Sequence, residues 1–377
     1  MNRFFSDRDR AFAAFLPQIS LSALPDPMAL AFSDRIAAYE VHAPTADNAF
    51  LHEAAIIEYH GTLFASWYNC EIHELHGRTP IRGRRSDDGG RTWSDIEVIA
   101  DDPTGKILYC PPIYGICEDR LYLLLNEMVG PDRIHALDCY LYDEETGTFR
   151  LLWSRPIPFK LNTNVVTLPD GRLMLPGRIA ELDGFPNTPA VLLSDSGKID
   201  AEWRLVRIAE DGNLPNGTKL VHPELCAIVH EGTIYMFSRD DENRVPLVYL
   251  SHDFGETWST LHTHDIPFSN SKIYSGTLAN GRHYLIGNLL PDRRRLAIYF
   301  SRPGEMRFDC GYLLQDNRSF GDYNGCQWSY PVAYEANGKL YVIYSAESDA
   351  HGKSRGAALS VIPTDIGITE NEHSQGD

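Results

Sequence analysis

One unit recurs six times along this 377-residue chain, and it constrains the fold more than any other feature. Each copy has a Gly- or Asp-containing turn followed by an apolar strand. The copies are GTLFASW from Gly61, DRLYLLL from Asp119, GRLMLPG from Gly171, GTIYMFSR from Gly232, GRHYLIGN from Gly281 and GKLYVIYS from Gly338. They start roughly fifty to sixty residues apart, the spacing of propeller blades. A second apolar run precedes each one: AAIIEY from Ala54, PIYGICE from Pro112, NVVTLP from Asn164, ELCAIV from Glu224, YSGTLA from Tyr274 and YPVAYE from Tyr330. Two such runs joined by a Gly-containing turn read as a hairpin. Six hairpin-based units predict an all-β chain folded as a six-bladed β-propeller with four strands per blade. The first strand of each unit then lines the axis, and the residues just before it face a central mouth.

A third strand follows in most units and ends in a turn near Ser86, Asp143, Ser194, Ser251 or Ser301. Two of these turns are complete, SDDGGRTW at Ser86–Trp93 and SHDFGETW at Ser251–Trp258. YDEETGTF, SDSGKIDAEW and SRPGEMRF are reduced copies, and the sixth unit has none. The complete motif has a physical logic. Ser and Asp bond turn amides, Gly supplies a positive φ, and Trp packs between strands. Such turns belong on the outer rim, so they report the register of the repeat rather than chemistry.

Composition bears on partners. The formal net charge of −18 argues against nucleic acid, whose phosphates demand a basic surface. It does not forbid an anionic small substrate, because a few arginines can make a pocket locally positive. The seven cysteines are odd in number and lack C-x-x-C spacing, which predicts reduced, mostly buried thiols and no metal site. No run is long enough to span a membrane. Ala11–Leu24 is fairly apolar, but Pro17, Gln18, Asp7 and Asp9 make a poor secretory signal. The expected organisation is a helical N-terminal extension over 1–28, one propeller domain over 29–366 with Ala29–Val41 supplying a strand that closes the ring, and a polar tail over 367–377. A cytoplasmic location is the default expectation, and the oligomeric state is not readable.

The two complete turns, known as Asp boxes, and the six-fold repeat resemble the sialidase (neuraminidase) superfamily of glycoside hydrolases from about Ala46 to Ile362. The resemblance implies a carbohydrate substrate, no cofactor, three arginines on a substrate carboxylate, a tyrosine nucleophile assisted by a glutamate, and an aspartate acid/base. The chemistry asks for these groups. An oxocarbenium-like transition state wants negative charge beneath it, the leaving oxygen wants a proton, and a carboxylate wants guanidinium forks. HPELCAIVHEGTIYMFSRD then places Glu224 at the start of one strand and Arg239 at the end of the next. Arg293, in the run before LAIYFS, is the matching fifth-unit arginine. Tyr330 in GCQWSYPVAYE stands where the nucleophile belongs, with Trp328 beside it as a stacking wall. The first unit departs from the family pattern: where an arginine is expected, FLHEAAIIEY carries His52 and Glu53. The loop that should bring the aspartate offers Glu71, Glu74, His73 and His76, of which Glu74 is the expected acid/base. His52 is a further candidate acid/base or sugar ligand, and His222 stands at the same mouth. Trp67, Asn69, Asn126, Glu127, Arg178, Lys272 and Asn288, all at strand ends, are additional mouth candidates.

The expected function is therefore an exo-acting glycoside hydrolase for a terminal, acidic sugar, retaining through Tyr330 and Glu224. His52 and His222 keep open a polysaccharide lyase or a His-dependent glycosidase. A non-catalytic carbohydrate-binding propeller is the third reading.

Overall fold

The computed structural model describes residues 5–130, 133–180, 187–317, 327–347 and 354–368. The predicted hairpins are present, and the chain is an all-β propeller with a single α-helix among the described residues, Asp7–Phe15. The first unit runs through antiparallel strands Phe50–Tyr59, Thr62–Cys70, Ile81–Ser86 and Glu97–Ala100, and the second unit follows the same plan from Leu108 to Arg155. Alternate residues of neighbouring units interdigitate into apolar clusters. Phe50, Ile57, Tyr68, Leu123 and Leu125 form one of them, between the first and second units.

Six separate sheets were expected, whereas hydrogen bonding gathers the described strands into five. The first and sixth units share one eight-stranded sheet, joined by a single parallel pair, Arg355 with Phe50. The Arg355 amide donates to Ala49 O at 2.8 Å, and its guanidinium lies 4.7 Å from the Phe50 ring centroid.

The N-terminal segment also differs from the expected helical extension, since it is helical only over Asp7–Phe15. Ser6 and Asp9 cap that helix reciprocally, at 3.1 and 2.8 Å. Phe12 and Leu16 sink into a cluster with Leu168, Leu214, Leu247 and Leu261. Pro17 then ends the helix. Beyond it the chain runs along outer edges: Gln18–Ile19 pairs in parallel with Thr263 and His264, and Ser22 and Ala31 bridge to Phe308 and Tyr312. Ala37–His42 lies antiparallel on the last strand, Arg355–Pro363. The Asp265 carboxylate anchors this strap by accepting the Leu21 and Ser22 amides, each at 2.8 Å. Residues 369–377 of the expected tail lie outside the described residues.

The two complete turns have nearly the same geometry. Ser86 Oγ donates to Asp88 Oδ1 at 2.9 Å and accepts the Gly90 amide at 2.9 Å. Asp88 also takes the Thr92 amide and hydroxyl at 2.9 and 2.7 Å, and Trp93 Nε1 donates to Gly90 O at 3.2 Å. Ser251, Asp253, Gly255, Thr257 and Trp258 repeat every one of these contacts. Gly90 is favoured by its φ of 88°, and a Cβ there would make the Leu359 side chain shift. The Asp253→Ala variant is expected to lose the amide and hydroxyl bonds together and to melt roughly 2–4 °C lower. An unchanged melting temperature would show that the turn holds itself without its carboxylate.

Burial sets a pH limit on the fold. His42 is held at about 4, first by burial and then by Arg84 and Arg82. Burial likewise holds His264 and His283 at about 4. An unfolded chain protonates histidine near 6.5, so between pH 6.5 and 4 it binds protons that the native state refuses, and stability falls as pH falls. The expected loss at pH 5.5 is on the order of 1 kcal/mol per histidine. Urea midpoints at pH 7.5 and 5.5 measure it, and equal midpoints would contradict it.

Candidate active site

The innermost strands break register where they reach the mouth. Shifts fall between His52 and Ala55, between Tyr109 and Pro112, and between Ser329 and Val332. Glu53 and Tyr330 sit inside two of these bulges with φ of 47° and 59°, a conformation non-glycine residues seldom adopt. The bulges re-aim side chains that regular alternation would send between the sheets. In the third unit the innermost strand is split into Phe159–Leu161 and Val166–Thr167, both paired with Leu173–Ile179. Gly177 permits the close approach, since a Cβ there would meet Lys160 O at 2.3 Å. The split sets Lys160 directly across from Arg178. Asn162 then carries the register to the fourth unit by accepting the Leu225 amide at 3.1 Å, and Thr163 Oγ1 donates to Leu225 O at 2.9 Å. Glu224 is fixed by that link.

These devices converge on a cavity of about 350 Å³ lined by His52, Glu53, Glu74, Leu75, Lys160, Arg178, His222, Glu224, Arg239, Arg293 and Tyr330. Arg239 is its hub. Its Nη1 donates to Tyr330 Oη at 2.7 Å and to Glu224 Oε2 at 2.8 Å, while Nη2 meets Asp241 Oδ1 at 2.5 Å. Asp241 in turn holds His222, by its amide at 3.0 Å and by Nδ1 at 3.1 Å. Tyr330 is further enclosed by cations: Arg293 lies 5.4 Å and Lys272 Nζ 5.5 Å from its ring centroid. The His52 ring packs 4.1 Å from the same centroid. Lys272 Nζ donates to Glu53 Oε2 at 3.0 Å, a fully buried ion pair, with the Cys110 thiol 3.7 Å from Glu53 Oε1.

Burial and charge decide the protonation states. Burial raises Glu224, but Arg239, Lys272 and Arg178 outweigh it and bring the carboxyl down to about 2, so it is ionised. Burial pushes the Tyr330 phenol well above its ordinary range. Arg239 and Arg293 pull it down while Glu224 and Glu53 push it up, and the phenol stays protonated. His52 is held far below the usual histidine range by burial first and then by Arg355, Arg293, Lys272 and Arg239. It is a neutral ring, with Nδ1 at 2.8 Å from Ser345 Oγ.

Eight residues expected from the sequence thus share one cavity: Tyr330, Glu224, Glu74, His52, Arg239, Arg293, Arg178 and His222. Lys272 stands behind it and acts through Glu53. Five others are corrections. Trp67 is completely buried and stacks on His42 at 5.2 Å, because it faces the sixth unit rather than the mouth. Asn126 is a buried tie, donating to Phe159 O at 2.8 Å and accepting the Leu161 amide at 2.9 Å. Asn288 is another, donating to Trp328 O at 2.6 Å. Trp328 does not line the cavity; its amide holds Arg293 O at 3.1 Å, and its ring packs against the core. Asn69 similarly ties to Phe50 O at 2.9 Å. Lys160 escaped the sequence reading, although its position just before the predicted strand NVVTLP was the available signal. Among the described residues no cluster of His, Cys, Asp or Glu could hold a metal ion, and no helix is long and apolar enough to cross a membrane.

Comparison with solved structures gives the same fold. A protein of unknown function from Dyadobacter fermentans superposes with a TM-score of 0.67 at 12% identity, over 87% of this chain and 99% of that one. A Trypanosoma rangeli sialidase in complex with 2,3-difluorosialic acid gives 0.65 at 14% identity, over 88% of this chain. This chain spans 59% of that enzyme's length. The Hadza microbial sialidase gives 0.67 at 14% identity, over 86% of this chain and 68% of that one. No curated protein matches by sequence. The model of the BNR repeat-like domain matches residues 61–342, three quarters of the chain, and the protein belongs to that family of sialidase-like propellers.

Proposed function

We propose that this propeller is a glycoside hydrolase that removes a terminal, acidic sugar, with Tyr330 as nucleophile. The eight-stranded sheet is counted as two blades in this reading, which makes the propeller six-bladed. The observation that carries the proposal is the bond of one guanidinium nitrogen, Arg239 Nη1, to both Tyr330 Oη and Glu224 Oε2. Glu224 is the proton acceptor and is already ionised. Its basicity is low and the phenol's is high, so a free phenolate does not form before attack. Loss of the proton is coupled to positive charge growing at the anomeric carbon, which favours phenolate character when it is needed. Arg239 stabilises the same oxygen by hydrogen bonding. Retention of configuration follows, because attack by Oη forms a glycosyl–tyrosine linkage that water then opens.

Glu74 is the acid/base in this reading. It reaches the cavity from an exposed loop, and Tyr68 Oη donates to its Oε1 at 3.1 Å. Glu74 gives its proton to the leaving oxygen in the first step and takes one back from the water that opens the linkage in the second. His52, neutral and bonded to Ser345, shapes the wall against Tyr330 rather than moving protons. One observation favours a second reading: His222 is oriented by Asp241 as a general base would be, which a lyase would use.

Turnover of a panel of aryl glycosides, including a sialoside, a glucuronide and a deoxysugar, tests the assignment. Tyr330→Phe is expected to lose at least about a thousandfold in kcat/KM and Glu224→Gln about a hundredfold or more, with both variants still folded by circular dichroism. Wild-type turnover in both variants would sink it. A product absorbing as an unsaturated uronate would replace it with the lyase.

A further inference from the structure

Tyr330 and Glu74 come from different units, the sixth and the first, and one side chain reaches toward both. The His52 ring packs 4.1 Å from the Tyr330 ring centroid. It also meets the Tyr68 ring edge to face, with centroids 5.9 Å apart. Tyr68 is the residue whose hydroxyl donates to Glu74 Oε1. It stands directly across from His52 in the first hairpin of the chain's first unit, so backbone pairing fixes how far apart the two rings are anchored.

His52 is itself fastened from the sixth unit. Its Nδ1 lies 2.8 Å from Ser345 Oγ, and Ser345 stands across from Ser329, the residue before Tyr330. Arg355 Nη1 lies 3.4 Å from both ring nitrogens of His52, and Arg355 is held in turn by Glu347, its cross-strand partner. His52, Tyr68, Ser345 and Tyr330 are all buried. Burial first, and then the surrounding cations, keep the His52 ring neutral, so it is not a proton donor at neutral pH.

We infer that His52 is a positioning residue, held by Ser345 and Arg355, that sets the distance between Tyr330 Oη and the Glu74 carboxyl. The inference rests on reading those two groups as nucleophile and acid/base. A buried ring packed against both supports can do this because close-packed side chains have few alternative rotamers. A misplacement of about 1 Å between reacting groups costs on the order of a hundredfold in rate. Loss of the ring therefore lowers kcat, whereas loss of a wall that only holds substrate raises KM.

The experiment labels the full chain uniformly with 3-fluorotyrosine and assigns the Tyr68 and Tyr330 fluorine resonances by their loss in Tyr68→Phe and Tyr330→Phe. His52→Ala is expected to add lines to both resonances or to broaden them relative to the wild type. His52→Phe, which restores a neutral ring, should return the wild-type pattern. Arg355→Met should disturb the same two resonances, and Arg355→Lys should disturb them less. With an aryl glycoside that the wild type cleaves, His52→Ala should lose about a hundredfold in kcat with KM within about threefold, and His52→Phe should recover to within about tenfold of the wild type. Unaltered Tyr68 and Tyr330 resonances in a folded His52→Ala variant would overturn the inference. So would a His52→Phe variant with the wild-type resonances and no recovery of kcat, because the ring nitrogens would then be needed for the chemistry. The fluorine measurement requires no substrate: disturbed resonances in His52→Ala, with no turnover by the wild type, would keep the placement of the two side chains and remove the hydrolase.

Discussion

A ring of sheets holds its shape only if the last unit is fastened to the first, and here the fastening is the antiparallel pairing of Ala37–His42 with Arg355–Pro363. That pairing covers an edge that would otherwise present unpaired backbone groups. It also seats Arg355 at the junction of the two ends. Arg355 spans the seam by bonding Ala49 O, covering Phe50 and pairing with the buried Glu347 carboxylate. Its Nη1 lies 3.4 Å from both ring nitrogens of His52. A buried ion pair of this kind adds little net stability but strongly restricts where its members sit. His52 packs on Tyr330, so the closure that makes the ring also sets the wall against the proposed nucleophile.

The mouth is built by local departures from regular sheet. A strand without bulges sends alternate residues to opposite faces, and none of them toward the axis end. The register shifts at His52–Ala55 and Ser329–Val332 change that, and they leave Glu53 and Tyr330 with positive φ. Such strain persists only where the surroundings over-determine it. Here the surroundings are ionic: Lys272 holds Glu53 and Arg239 holds Tyr330. The same contacts that stabilise the strained backbone therefore set the charges of the site, and neither could be altered without the other.

This explains what could be read from the sequence and what could not. The repeat located the hairpins, because hydrophobic alternation and Gly turns are local properties. It also located Glu224, Arg239 and Tyr330, which stand at strand ends whose position follows from the repeat. Which way a strand-end residue faces is a different matter, since a one-residue bulge reverses it. Trp67 and Asn126 occupy comparable strand ends yet point into the interior, and no residue pattern near them announces it. Lys160 lay hidden because its strand is split, an outcome that depends on Gly177 in the strand paired with it and not on its neighbours in sequence. The joining of the first and sixth units into one sheet rests on a single residue pair, which leaves no periodic trace.

Bulk composition and the site also point in opposite directions, and distance resolves the conflict. The chain carries a formal charge of −18, which by itself would repel an acidic sugar. At physiological ionic strength, charges are screened beyond about 8 Å, so a ligand approaching the mouth feels chiefly the groups lining it. Those are four cations, Lys160, Arg178, Arg239 and Arg293, beside three carboxylates, Glu53, Glu74 and Glu224, in a site where fields are screened less than at the open surface. Net charge therefore governs solubility and excludes polyanions that need an extended basic face. A single carboxylate that fits inside the cavity is governed by the local field instead, and the acidic surface does not argue against it.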